Sequence, residues 1–127
     1  MRKNRILLLE DNPIHREVIC DGLEDAGFVV KKAQNVDEAY KILEKFTPDL
    51  FLLDIVIGNN RKQGILFAEE LSKESRLKHI PVLYISAYID EKSIADHFPG
   101  DLKENVLPKP FDFEQLINKI REVLKEV

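Results

Sequence analysis

A single cysteine, Cys20, stands in a chain of 127 residues. One thiol cannot close an internal disulfide, which excludes a stapled secreted scaffold and fits a reducing compartment. Long hydrophobic runs are missing too: no apolar stretch approaches the ~20 residues of a membrane span. The N-terminus Met1-Arg2-Lys3-Asn4-Arg5 is basic, but the apolar run behind it stops at Leu9, before Glu10 and Asp11. That is too short for a secretory leader, so the expectation is a cytoplasmic protein without a membrane partner. Nor is there an excess of basic charge. Lys and Arg number 19 against 23 Asp and Glu, a net charge of −4. Such a field gives nucleic acid nothing to bind, and a direct nucleic-acid partner is not expected.

What is present is an ordinary globular balance of 44% hydrophobic and 33% charged residues. A chain of this length should bury about two thirds of the surface it exposes unfolded, enough for a core without staples. No repeat, low-complexity stretch or linker divides it, so residues 1–127 read as one domain. Five short apolar runs recur: Ile6–Leu9, Phe28–Val30, Leu50–Leu53, Pro81–Ile85 and Val106–Leu107. Unbroken runs of this length predict strands buried on both faces.

Amphipathic segments lie between them. Ile14, Val18, Gly22, Leu23 and Ala26 predict a first helix, with Pro13 in its first turn and Gly27 at its stop. Val36, Ala39, Tyr40, Leu43 and Phe46 predict a second, and Phe67, Ala68 and Leu71 a third. A short fourth is expected over Glu91–Phe98, and the stripe Phe113, Leu116, Ile117, Ile120, Val123, Leu124 marks the last. The glycine-bounded polar stretch from Gly58 to Gly64 predicts an exposed loop. Strand and helix thus alternate five times, which predicts an α/β fold: a (βα)5, doubly wound, five-stranded parallel sheet. Only Lys125-Glu126-Val127 follow the last stripe, so no effector domain is expected in this chain.

In an open parallel sheet, ligands bind beyond the carboxyl ends of the strands. Glu10 and Asp11 follow the first run, Asp54 the third, Ser86 the fourth and Lys109 the fifth. Three carboxylates, a hydroxyl and an ammonium therefore converge on one edge. Clustered carboxylates repel, and a hard cation such as Mg²⁺ relieves that repulsion while keeping positions for water and phosphate. Asp54, at the end of the most apolar run, is poised as a nucleophile that forms an aspartyl phosphate. Lys109 would stabilise charge on the transferring phosphoryl group, and Ser86 could hydrogen-bond one of its oxygens.

These motifs, Leu7-Leu8-Leu9-Glu10-Asp11-Asn12, Leu52-Leu53-Asp54, Ile85-Ser86-Ala87 and Pro108-Lys109-Pro110-Phe111, resemble the receiver domain of two-component response regulators from the first strand to the last helix. The resemblance implies the flavodoxin-like strand order 2-1-3-4-5, for which the chemotaxis regulator of this family is a standard example. It implies that Asp54 accepts phosphate from a histidine kinase or phosphotransfer protein, so that the chain is a signalling switch rather than an enzyme. Glu10, Asp11, Asp54 and the backbone carbonyl of Val56 would hold Mg²⁺. Ser86 would be the switch hydroxyl and Lys109 the phosphoryl contact, before a cis Pro110. A downstream protein would read the change, and dimerisation of two copies occurs in the family.

Three positions depart from the family pattern. Val106 stands where Tyr or Phe is usual, so no ring can swing with the switch hydroxyl. The loop after Asp54 lacks its usual proline, and Gly64 comes about two residues late. Val56 replaces a frequent polar residue and Tyr88 lies two beyond Ser86; together they would hinder an attacking water and lengthen the life of the phosphoryl group.

Blander readings exist for single residues. Glu10 and Asp11 could cap the first helix, and Asp54 could be a solubilising charge. His15, His79 and His97 lack paired metal spacing and read as surface or helix-end residues, with His15 near the site mouth. Cys20 reads as an inert, partly buried thiol and Lys31-Lys32 as a solvated strand end. Among whole-chain alternatives, a haloacid-dehalogenase-type phosphatase would need an acid where Val56 stands. A flavodoxin would need amide donors where Asp11-Asn12-Pro13 is acidic and glycine-free. A phosphate-independent pseudoreceiver, a docking module only, is the alternative that Val106 keeps open.

Overall fold

The computed structural model describes residues 4–55, 63–86 and 105–125. Within them lie β1 (Arg5–Leu9), α1 (Pro13–Asp25), β2 (Val29–Ala33), α2 (Val36–Leu43), β3 (Leu50–Asp54), α3 (Gln63–Leu71), β4 (Val82–Ser86), β5 (Val106–Pro108) and α4 (Phe113–Lys125). The five strands are all parallel, in the order β2-β1-β3-β4-β5. The expected loop at 58–62, the expected helix over Glu91–Phe98, and Val56, Tyr88 and His97 lie outside the described residues.

Each strand alternates its side chains between two cores, as the two-residue period of a strand requires. Leu7, Leu9, Phe51, Leu53 and Tyr84 point to one face, where Ala39 and Leu43 of α2 and Phe67 and Leu71 of α3 cover them. Ile6, Leu8, Leu50, Leu52, Leu83 and Ile85 point to the other, under Ile19 and Leu23 of α1 and Leu116 and Ile120 of α4. Both faces of the inner strands are buried, which is why β1, β3 and β4 read as continuous apolar runs; the outer strand β2 instead leaves Val29 exposed, contrary to the expectation for the run Phe28–Val30. Lys31 and Lys32 are exposed at the outer strand β2, as expected.

Four local expectations need correction. The first helix buries Leu23 as expected but not Ile14 and Val18, which are 72% and 52% exposed; Ile19 and Cys20 are buried instead. Two apolar rows run along α1, and the contact with β1, β3 and α4 selects the second. Cys20 is accordingly buried fully rather than partly. Phe46 lies beyond the end of α2, just after the turn at Glu44 and Lys45. Gly64 is not loop but the buried second residue of α3, and its N–H donates to the Ile55 carbonyl at 3.3 Å. A Cβ there would overlap the Asp54 carbonyl oxygen and lie 3.1 Å from the Ile55 Cα. Glycine lets α3 start directly against the end of β3.

Helix ends follow their local chemistry. Pro13 opens α1, and Gly27, at φ 99°, follows its last turn. Asn12 caps α1, its Oδ1 accepting from the N–H groups of Ile14 and His15 at 3.0 Å each. Neither Glu10 nor Asp11 is spent on that cap. Among the described residues, no helix is long and apolar enough to cross a membrane.

Candidate functional site

The parallel order brings the carboxyl ends of β1, β3 and β5 to one edge. Glu10 follows β1, Asp54 ends β3 and Lys109 follows β5. Among the described residues, Glu10 and Asp54 are the buried charged residues. Lys109 joins them. Its Nζ donates to Glu10 Oε1 at 2.7 Å and to Asp54 Oδ2 at 3.2 Å. Burial works against the Lys109 ammonium, yet the hydrogen bond to Glu10 and the charges of Asp54 and Glu10 outweigh it, so its pKa lies above the usual lysine value. Lys109 therefore stays charged at neutral pH. The peptide bond between Lys109 and Pro110 is cis, as expected.

Asp11 completes an acidic cluster. One carboxylate oxygen from each of Glu10, Asp11 and Asp54 lies within 4.8 Å of the others. Three carboxylates face one ammonium, a local excess of negative charge that a divalent cation would relieve. A second observation fits such an ion: Glu10 Oε2 is buried and has no hydrogen-bond partner among the described residues. An orphaned carboxylate oxygen inside a protein is costly, and a hard cation is the ligand its chemistry suits. Arg16 fixes the backbone beneath it, Nη1 donating to the Glu10 carbonyl at 3.0 Å.

Of the remaining expected residues, Ser86 ends β4 beside β5, in register with Pro108, and its hydroxyl lies outside what the structure describes. Val56 and its carbonyl lie outside the described residues. Val106 is buried on the α2–α3 face, with Tyr84 as its register partner on β4.

His15 is more than a surface residue. Its Nδ1 sits 3.3 Å from Glu10 Oε1 and 3.4 Å from Lys109 Nζ, while half of its side chain remains exposed. Its place at the start of α1 was visible in the sequence, but its distance to Lys109 depends on how α1 meets the β5–α4 junction. Beside it a cavity of about 420 Å³ opens between His15, Val18, Ile19, Lys109, Pro110 and Phe113. Of the two exposed apolar residues of α1, Val18 lines that opening.

Residues 6–121 match the family profile described as the response regulator receiver domain. The phosphate regulon transcriptional regulatory protein PhoB of Escherichia coli (strain K12) is 32% identical over 97% of this chain and 52% of its own length. The DNA-binding dual master transcriptional regulator RpaA of Synechocystis is 27% identical over 95% of this chain and 49% of its own. The chain thus spans about half the length of the curated relatives it matches. Among solved structures, the chemotaxis response regulator CheY4 of Vibrio cholerae superposes with a TM-score of 0.80 at 22% identity, over 96% of this chain and 99% of that one. A sensor protein from Polaromonas gives 0.83 at 20% identity, over 98% of both chains.

Proposed function

The chain belongs to the response regulator receiver domains, the phosphorylation switches of two-component systems, and from that premise we propose that Asp54 is its phosphoacceptor. The observation that carries the reading is the bridge from Lys109 to Glu10 and Asp54, with the orphaned Glu10 Oε2 beside it. An Asp54 carboxylate oxygen forms the new bond to phosphorus. The bond from phosphorus to the donor breaks, and its electron pair leaves with the donor's imidazole nitrogen. Lys109 exchanges its contact with Asp54 for one with a phosphoryl oxygen and stabilises the charge there. Glu10, Asp11 and Asp54, with the Val56 carbonyl, would hold Mg²⁺, which neutralises charge on the phosphoryl oxygens when bound. Ser86 is proposed as the hydroxyl that turns to the phosphoryl group and so changes the protein-binding face.

The donor is a histidine kinase or phosphotransfer protein. The exposed Val18 at the opening, on the same helix as the exposed Ile14, supports its docking there. The output proposed for this chain is contact with a downstream protein in the cytoplasm, as a single switch domain or a pair of copies. PhoB and RpaA, each about twice as long, are transcriptional regulators. A phosphate-independent docking module is the second reading, favoured by Val106 in place of a swinging ring.

Beryllofluoride, which mimics an aspartyl phosphate, separates the two. Amide NMR shifts that require both Mg²⁺ and beryllofluoride, and that vanish in Asp54→Asn, are expected of the switch. Unchanged spectra in the presence of both would leave the docking module.

A further inference from the structure

Lysine offers three N–H donors and accepts nothing. At Lys109 the three nearest partners are Glu10 Oε1 at 2.7 Å, Asp54 Oδ2 at 3.2 Å and His15 Nδ1 at 3.4 Å. Because lysine cannot accept, a hydrogen bond across the 3.4 Å contact requires His15 Nδ1 as the acceptor, with the ring proton on Nε2. With the proton on Nδ1 instead, the ring would donate to Glu10 Oε1 at 3.3 Å and give Lys109 nothing.

Two of the three acceptors are carboxylates of the acidic cluster, and both have other work during phosphoryl transfer. His15 has none. It stands on a fixed base: Asn12 Oδ1 accepts its backbone N–H at 3.0 Å, Pro13 opens the helix, and Arg16 ties the next position to the Glu10 carbonyl at 3.0 Å. The long 3.4 Å contact belongs to a state in which Glu10, at 2.7 Å, holds the ammonium most closely. When the carboxylates turn to a cation or a phosphoryl group, the imidazole is the acceptor that stays.

We propose that His15 is a positioning residue whose Nδ1 accepts an N–H of the Lys109 ammonium and keeps it over the acidic cluster. This rests on the reading of Asp54 as phosphoacceptor and adds to it a residue that acts through Lys109 rather than on phosphate.

Two variants separate an acceptor from a mere filler. In His15→Asn the side-chain oxygen stands where Nδ1 stood; His15→Leu keeps bulk and offers no acceptor. Two readouts apply: the rate of phosphorylation by acetyl phosphate at fixed Mg²⁺, and the Lys109 side-chain ammonium signal in NMR of the ion-free protein. That signal is assigned by its loss in Lys109→Met. His15→Leu should slow phosphorylation about three- to tenfold, the worth of one hydrogen bond, and broaden the ammonium signal. His15→Asn should stay within about twofold of the parent and keep the signal. The proposal is overturned if His15→Leu keeps the parent's rate and signal, or if His15→Asn behaves like His15→Leu. A parent chain that takes no phosphoryl group defeats the Asp54 reading instead, and the ammonium signal then decides the role of His15 alone.

Discussion

Replacing Lys109 with methionine keeps most of the side chain's volume and removes its charge. Lys109 is 11% exposed in its side chain, against 0% for Glu10 and 9% for Asp54, so water has little access to the group that is lost. Removing one partner of a fully buried ion pair costs about 3–5 kcal/mol, because the other charge is left uncompensated. Asp11 and the open cavity beside Lys109 give water some entry, which lowers the expectation to about 2–3 kcal/mol. For a domain of this size 1 kcal/mol is about 4 °C in Tm, so Lys109→Met in EDTA should melt about 8–12 °C below the parent. Mg²⁺ should then do more for the variant than for the parent, since no ammonium competes for the same carboxylates. A ligand at tenfold its Kd stabilises by about 1.4 kcal/mol, and the variant's lower Kd turns a given Mg²⁺ concentration into a larger rise in Tm. Thermal melts of both proteins with and without Mg²⁺ test this. Equal melting points in EDTA would refute the view that Lys109 neutralises the buried carboxylates. Equal gains from Mg²⁺ would refute the view that ion and ammonium share them.

Three further outcomes are expected. Gly64→Ala drives a Cβ into the Asp54 carbonyl, and because that contact is backbone, α3 must shift; a loss of about 1–3 kcal/mol in urea melts is expected, and a wild-type midpoint would sink the close-approach account. The raised pKa of Lys109 means that the folded state binds a proton more tightly than the unfolded one. Its contribution is complete below the unfolded lysine pKa of about 10.4 and is lost as pH rises from there through the higher folded value, so over that window Tm should fall faster in the parent than in Lys109→Met. Val56→Asn should shorten the life of the phosphoryl group, read as faster loss of the adduct after acetyl phosphate is removed; an unchanged lifetime would count against water exclusion by Val56.

Much of this was legible in the residues. Runs such as Leu50-Phe51-Leu52-Leu53 can be buried on two faces only in the middle of a parallel sheet, and β3 lies there. That placement carries Asp54 to the same edge as Glu10 and Lys109 without any further assumption. What periodicity could not decide was which row of α1 faces inward. The expected stripe holds in its C-terminal half, where Leu23 is buried and Ala26 packs on the core, but at its start Ile14 and Val18 give way to Ile19 and Cys20, a choice only the neighbouring strands and α4 make. His15 was hidden for a related reason, since its partner Lys109 is 94 residues away and they meet only through tertiary packing. Gly64 was hidden because a glycine among Asn, Lys and Gln has the composition of a loop, whereas its use is the close approach of α3 to the Asp54 carbonyl. For the cap of α1 the sequence offered Glu10 and Asp11, and neither takes it. Asn12 takes it, accepting from the N–H groups of Ile14 and His15.

Intact mass after incubation with Mg²⁺ and acetyl phosphate, beside an Asp54→Asn control, tests the central claim most directly. One phosphoryl adduct that depends on Mg²⁺ and is absent from the control is the predicted result. An adduct of equal yield in Asp54→Asn, or one formed equally well in EDTA, would contradict it.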